Sequence, residues 1–136
     1  MEQSPAVRIL IVDDSERVRR GVVGILSLRT DLQTCGEAQD GTEAIQKAAN
    51  LVPDLVLLDI SMPGLNGLEV ARLLREQSPS VKILVMSQHD PIPLLPRAIQ
   101  AGADGCVDKS LLSADLLPSI DRIMGKAEAD STAPGS

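Results

Sequence analysis

Five polar residues stand directly behind apolar runs, and together they suggest one chemistry. Asp13 and Asp14 follow Val7 to Val12, Asp59 follows Leu55 to Leu58, Ser87 follows Val81 to Met86, and Lys109 follows Gly105 to Asp108. Carboxylates gathered in one small volume repel each other and raise at least one pKa unless a cation is present. A hard divalent ion resolves this, and Mg²⁺ in particular is held by one or two carboxylates, waters and a phosphate oxygen. The set then suits phosphoryl transfer: a carboxylate attacks phosphorus, the metal and the lysine neutralise the equatorial oxygens, and a hydroxyl bonds the third. Taken singly, each residue has an ordinary reading. An Asp pair before a helix can be an N-cap, an Asp before Pro63-Gly64 a turn residue, a Ser or Lys at a strand end a solvated side chain. The joint placement is what argues for a site.

These residues converge only if the apolar runs are strands of one parallel sheet. Val7 to Val12 is β-branched and strand-like. Val18, Val22, Ile25 and Leu26 recur at helical spacing, with Arg17, Arg19 and Arg20 on the remaining faces. Gly21 and Gly24 each cost such a helix up to about 1 kcal/mol against Ala, which predicts a neighbour lying close over them. Leu32 to Glu37 is a weaker strand. Asp40-Gly41-Thr42-Glu43 is an acidic cap opening a helix through Ile45, Ala48 and Ala49, which Pro53 closes. Leu55 to Leu58 is apolar on both faces, as a central parallel strand covered by helices requires. Leu68, Ala71 and Leu74 mark a helix that stops before Pro79, Val81 to Met86 and Gly105 to Asp108 are further strands, and a last helix runs from about Ser113 to Met124.

Strand and helix alternate five times, the pattern of a single-domain α/β doubly wound sandwich with a five-stranded parallel sheet. In the flavodoxin-like order 2-1-3-4-5, the first and third strands meet at the switch point where ligands bind. That brings Asp13, Asp14 and Asp59 together, with the hydroxyl and the ammonium on the far side. The expected division is a flexible N-terminus at 1–5, the domain at 6–125, and a disordered tail or linker stub at 126–136.

Composition narrows the function classes. The 136 residues include no Phe, Tyr or Trp, which excludes base stacking on single strands, aromatic cages and ring sandwiches around a flavin. The core must be aliphatic. A net charge of -6 opposes direct nucleic-acid binding by the domain. There is no long apolar run for a membrane and no signal-peptide pattern, so the expected location is cytoplasmic. Cys35 and Cys106 lie far apart in apolar stretches and read as buried, reduced thiols.

The chain resembles the response regulator receiver domain of two-component signalling from Ala6 to about Gly125. The resemblance rests on Ile9-Leu10-Ile11-Val12-Asp13-Asp14, on the stretch from Pro53 to Gly67 around Asp59, and on Ala101-Gly102-Ala103-Asp104-Gly105 leading to Lys109. Cys35 to Gly41 and Gln100 to Gly105 are similar to the NarL/FixJ subfamily, whose members usually carry a C-terminal helix-turn-helix domain.

The resemblance implies that Asp59 accepts a phosphoryl group from a sensor histidine kinase. Mg²⁺ (or Mn²⁺) would be held directly by Asp14, Asp59 and the Ser61 backbone carbonyl, with Asp13 acting through water. Ser87 would bond the phosphoryl group, and Lys109 would be the family's lysine. The domain would act as a switch for a downstream effector controlling transcription, with a phosphorylation-dependent homodimer among its expected assemblies. Its own chemistry would be limited to self-phosphorylation from small donors and slow dephosphorylation.

Three departures from the family pattern stand out. Cys106 occupies the position where receivers keep a rotating Tyr or Phe, and cysteine is too small to replace that motion. Pro91, Pro93 and Pro96 crowd the start of the fourth helix, which predicts a short helix beginning near Leu94 to Arg97 after an extended loop. Gln88 stands where many receivers have Ala or Gly and could slow access to the acceptor; His89 beyond it is a solvated residue or one that tunes dephosphorylation.

Other classes fit less well. A haloacid-dehalogenase-type phosphohydrolase wants Asp-x-Asp, whereas Ser15 follows Asp13-Asp14, and an FMN carrier wants a hydroxyl- and glycine-rich phosphate loop. A receiver used as a phosphorylation-independent interaction module is the closer competitor: the missing ring argues for it, the complete acidic set with Ser87 and Lys109 against it.

Overall fold

The structure is a computed structural model, and it describes residues 5–61, 66–88 and 90–125. The apolar runs form strands β1 (Val7–Val12), β2 (Leu32–Ala38), β3 (Leu55–Asp59), β4 (Lys82–Ser87) and β5 (Gly105–Asp108). The amphipathic stretches between and after them form helices α1 (Glu16–Leu26), α2 (Gly41–Leu51), α3 (Gly67–Gln77), α4 (Leu95–Gln100) and α5 (Leu112–Met124), with a 3-10 turn over Lys109–Leu111. All strand pairs are parallel, and the sheet order is β2-β1-β3-β4-β5, as expected.

The helices start where side chains can take up free backbone N–H groups. Ser15 accepts from Val18 N at 3.2 Å, Asp40 from Glu43 N at 2.8 Å, and Asn66 from Glu69 N at 3.0 Å. Glu43 returns the favour one residue early, accepting from Gln39 N at 2.8 Å. Helices α2, α3 and α4 cover one face of the sheet over Leu10, Val12, Val56, Leu58, Ile83 and Val85. Helices α1 and α5 cover the other over Ile9, Ile11, Leu55, Leu57, Leu84 and Met86. Every residue of β3 is buried, which explains its continuous apolar run. The weak pattern of β2 also has a cause: Ile9 pairs with Thr34 but Leu10 with Gly36, so Cys35 is an extra bulged residue that breaks the alternation.

Several expectations need correction. Nothing lies within 4 Å of where a Cβ would stand on Gly21 or Gly24, so neither glycine admits a close neighbour. The stretch before α4 is turned rather than extended: the N–H groups of Leu94 and Leu95 both bond the Pro91 carbonyl, at 3.1 and 2.9 Å. Helix α4 does begin late, and Pro96 falls in its first turn, where a missing N–H costs nothing. Helix α5 runs through Pro118, as the expected span from Ser113 to Met124 requires. The proline stands at an exposed position, and having no N–H it cannot bond the Ala114 carbonyl. The thiols of Cys35 and Cys106 are free but only partly buried.

One glycine fixes how closely α3 approaches the end of β3. A Cβ on Gly67 would overlap the Ile60 Cα and stand 2.8 Å from the Asp59 carbonyl oxygen, both backbone atoms with little freedom to yield. Gly67→Ala therefore loses more to this clash than it gains in helix propensity. The expected net loss is about 2 kcal/mol in urea denaturation, within the usual range for overpacking. An unchanged midpoint would show that α3 has room to move.

Candidate functional site

The four strand ends assemble the site. Asp13 follows β1; its N–H bonds the Ala38 carbonyl at 3.0 Å and its Oδ1 accepts from Ser15 N at 2.9 Å. Asp59 is the last residue of β3, and its Oδ1 accepts from Ser61 N at 2.9 Å. Ser87 ends β4 in register with Asp108 and is 4% exposed. Lys109 opens the 3-10 turn behind β5, a turn fixed by the Asp108 carboxylate, which accepts from Ser110 N at 2.9 Å. From there its ammonium reaches Asp13 Oδ2 at 2.9 Å and Asp59 Oδ2 at 3.4 Å. Lys109 was expected on the far side of the carboxylates; it pairs with two of them directly.

Among the described residues, one oxygen from each of Asp13, Asp14 and Asp59 falls within 4.8 Å of the others. Asp13 is fully buried, Asp59 is 1% exposed, and Asp14 is open to solvent. Burial raises the Asp59 carboxyl above its ordinary value; the Ser61 N–H opposes this, Asp13 adds to it, and Lys109 opposes it again. Burial alone would lower the Lys109 ammonium, but Asp13 and Asp59 outweigh that and raise it.

The donors fit a hard divalent cation. They are all carboxylate oxygens, and the buried Asp13 Oδ2 accepts no well-aligned hydrogen bond from the described residues despite its ion pair with Lys109. The negative charge in this cluster exceeds what one ammonium neutralises.

Gln88 is exposed, and His89 lies outside the described residues, as do residues 62–65 of the motif around Asp59. Cys106 sits in β5 beside a groove of about 520 Å³, lined in part by Leu84, Leu95, Ile99 and Ile123. Burial pushes its thiol up to about 11. At pH 8 its thiolate fraction is then roughly 100-fold below that of an ordinary thiol. Higher intrinsic nucleophilicity recovers about tenfold of this. Cys106 is expected to react with iodoacetamide at least about tenfold slower than a free thiol; an equal rate in a peptide-resolved time course would contradict this.

Two residues at the site gave little signal in the sequence. Arg19 reads there as a solvated helix residue, yet it donates to the Asp13 carbonyl at 2.6 Å and to Glu37 Oε1 at 2.8 Å. Gly67 stands in the motif around Asp59, but only its contact with Ile60 and Asp59 shows why a side chain is excluded.

Residues 9–121 match the family model of the response regulator receiver domain. The chain is 42% identical over 118 residues to the nitrate/nitrite response regulator protein NarL of Escherichia coli K12, covering 87% of this chain and 54% of that protein. It is 40% identical over 111 residues to the transcriptional regulatory protein LnrK of Bacillus subtilis 168, covering 82% of this chain and 50% of that protein. The chain thus spans about half the length of the curated relatives it matches. Among solved structures, a LuxR-family two-component response regulator from Aurantimonas sp. SI85-9A1 superposes with a TM-score of 0.83 at 34% identity, covering 90% of this chain and 86% of that one. With the sheet order and the clustered strand ends, these likenesses place the chain: it belongs to the response regulator receiver domain family, among relatives of the NarL/FixJ type.

Proposed function

We propose that the domain is a phosphorylation-dependent switch whose acceptor is Asp59. The observation that carries this reading is the seating of Asp59 at the end of β3, with Lys109 at 3.4 Å and two further carboxylates alongside. The kinase would be a sensor histidine kinase. In the transfer step an Asp59 carboxylate oxygen forms the bond to phosphorus as the donor's bond to phosphorus breaks, and the leaving group departs with that electron pair. The Ser61 N–H holds Asp59 Oδ1, leaving Oδ2 on the Lys109 side. Lys109 and the Ser87 hydroxyl would bind the phosphoryl oxygens. Asp14, Asp59 and the Ser61 carbonyl would hold Mg²⁺ (or Mn²⁺) directly and Asp13 through water. The bound ion would supply charge neutralisation for the phosphoryl oxygens.

Residues 6–125 would form the switch, in the cytoplasm, and an output domain or separate effector would turn its state into transcriptional control. This extends what half-length coverage of transcriptional regulators supports. Among the described residues no helix is long and apolar enough to cross a membrane. The second reading, an interaction module that works without phosphate, is favoured by Cys106 in place of a ring. Intact-mass spectrometry after incubation with acetyl phosphate, with and without Mg²⁺, separates the two. A switch gains one phosphoryl group only when Mg²⁺ is present; a module gains none.

A further inference from the structure

We infer that Arg19 is a positioning residue for the cation site: it clamps the Asp13 carbonyl to Glu37 and so fixes the peptide that places Asp14. This rests on Asp14 being a ligand, as proposed above. Asp13 is held on every side. Its N–H bonds Ala38, its Oδ1 accepts from Ser15, its Oδ2 faces Lys109, and its carbonyl accepts from Arg19 at 2.6 Å. Asp14 is different: it is exposed and forms no hydrogen bond or ion pair shown with the described residues. Its place is therefore set by the peptide before it, and the Asp13–Asp14 peptide plane turns on the carbonyl that Arg19 holds.

Arg19 is itself anchored. Its side chain is 14% exposed, and its Nε donates to Glu37 Oε1 at 2.8 Å. Glu37 lies in β2 opposite Ile11, and its backbone carbonyl accepts from Lys47 at 2.5 Å. The clamp thus runs from α1 through the Asp13 carbonyl to the edge strand and on to α2. Two features suit it to this task. A guanidinium directs two donors along fixed, divergent lines, which an ammonium cannot do. The Glu37 carboxylate also offsets its charge, so the clamp adds little repulsion against a cation.

The test is Mg²⁺ titration of the wild type, Arg19→Lys, Arg19→Met, Glu37→Gln and, as reference, Asp14→Asn, followed by amide shifts in ¹⁵N-labelled protein. Thermal midpoints are recorded without Mg²⁺. The expected result is a Kd for Mg²⁺ weakened about tenfold in both Arg19 variants, in line with groups that orient metal ligands. Glu37→Gln should weaken it less, because the bond to Asp13 remains. A purely structural role would lower the midpoint and leave the Kd unchanged, and that result would overturn the inference. If Arg19→Met fails to fold, Arg19→Lys decides, since it keeps the charge and loses the fork. A wild type that binds no Mg²⁺ would instead overturn the reading of the site on which the inference rests.

Discussion

Asp59→Asn is expected to reduce Mg²⁺-dependent labelling by acetyl phosphate to background and, without a divalent cation, to raise stability at neutral pH. The amide retains an oxygen to accept from Ser61 N but has no carboxylate to attack phosphorus. The stability gain follows from the seating of the charge. Asp59 is 1% exposed, and burial, reinforced by Asp13, raises its pKa in spite of Ser61 and Lys109. A carboxyl raised on folding binds its proton more tightly in the native state. Stability from this group is therefore greatest below the ordinary carboxylate pKa of about 3.9 and falls as pH rises through that value to the raised one. At neutral pH the whole penalty applies, and removing the charge removes it. Urea denaturation of both proteins in EDTA should show a higher midpoint for the variant at pH 7 and a shrinking difference below about pH 4. Residual labelling would move the acceptor elsewhere. A lower midpoint at pH 7 would mean that the pairing with Lys109 outweighs burial.

Lys109→Met is expected to give the second large effect, in stability as well as labelling. Its ammonium is the counter-charge of the fully buried Asp13 at 2.9 Å and of Asp59 at 3.4 Å. Removing one partner of a buried pair leaves an uncompensated charge, at a cost of about 3 kcal/mol. The native lysine contributes fully at neutral pH. Its pKa is raised on folding, so its stabilisation is present below the ordinary value of about 10.4 and is lost only as pH rises through the raised one. Millimolar Mg²⁺ should recover part of the loss in the variant, because a cation among the carboxylates takes over the work of the ammonium. Labelling should fall at least about 100-fold, the usual effect of removing one preorganised group from developing charge. Denaturation that is unchanged without Mg²⁺, or that Mg²⁺ fails to shift, would contradict this account of the cluster.

Most of the frame was legible because its signals are local. The β-branched run of β1, the two-sided apolar run of β3 and the Asp40 cap of α2 each report a nearby requirement. The clustering of Asp13, Asp14 and Asp59 followed from strand order alone. What escaped depends on geometry between distant elements. Nothing in Arg19 announces that its guanidinium turns inward to the Asp13 carbonyl instead of outward to solvent. The reach of Lys109 from beyond β5 to the end of β1 depends on side-chain direction, which spacing does not encode. Gly21 and Gly24 misled for the opposite reason: their helix cost implied a neighbour, and no other element comes within 4 Å of where a Cβ would stand. Helix α5 was legible in spite of Pro118, which stands at an exposed position within it. Cys106 was legible as a departure from the family pattern, and its surroundings now show a groove beside a thiol that burial keeps protonated.

The central claim, that Asp59 becomes an acyl phosphate, is tested most directly by trapping the bond and mapping it. Protein treated with acetyl phosphate and Mg²⁺ is reduced with borohydride, which converts an aspartyl phosphate to homoserine, and its peptides are sequenced by mass spectrometry. Conversion at position 59 alone, dependent on Mg²⁺, is the predicted result. Conversion at Asp13 or Asp14, or at no residue while the protein remains folded, would contradict it.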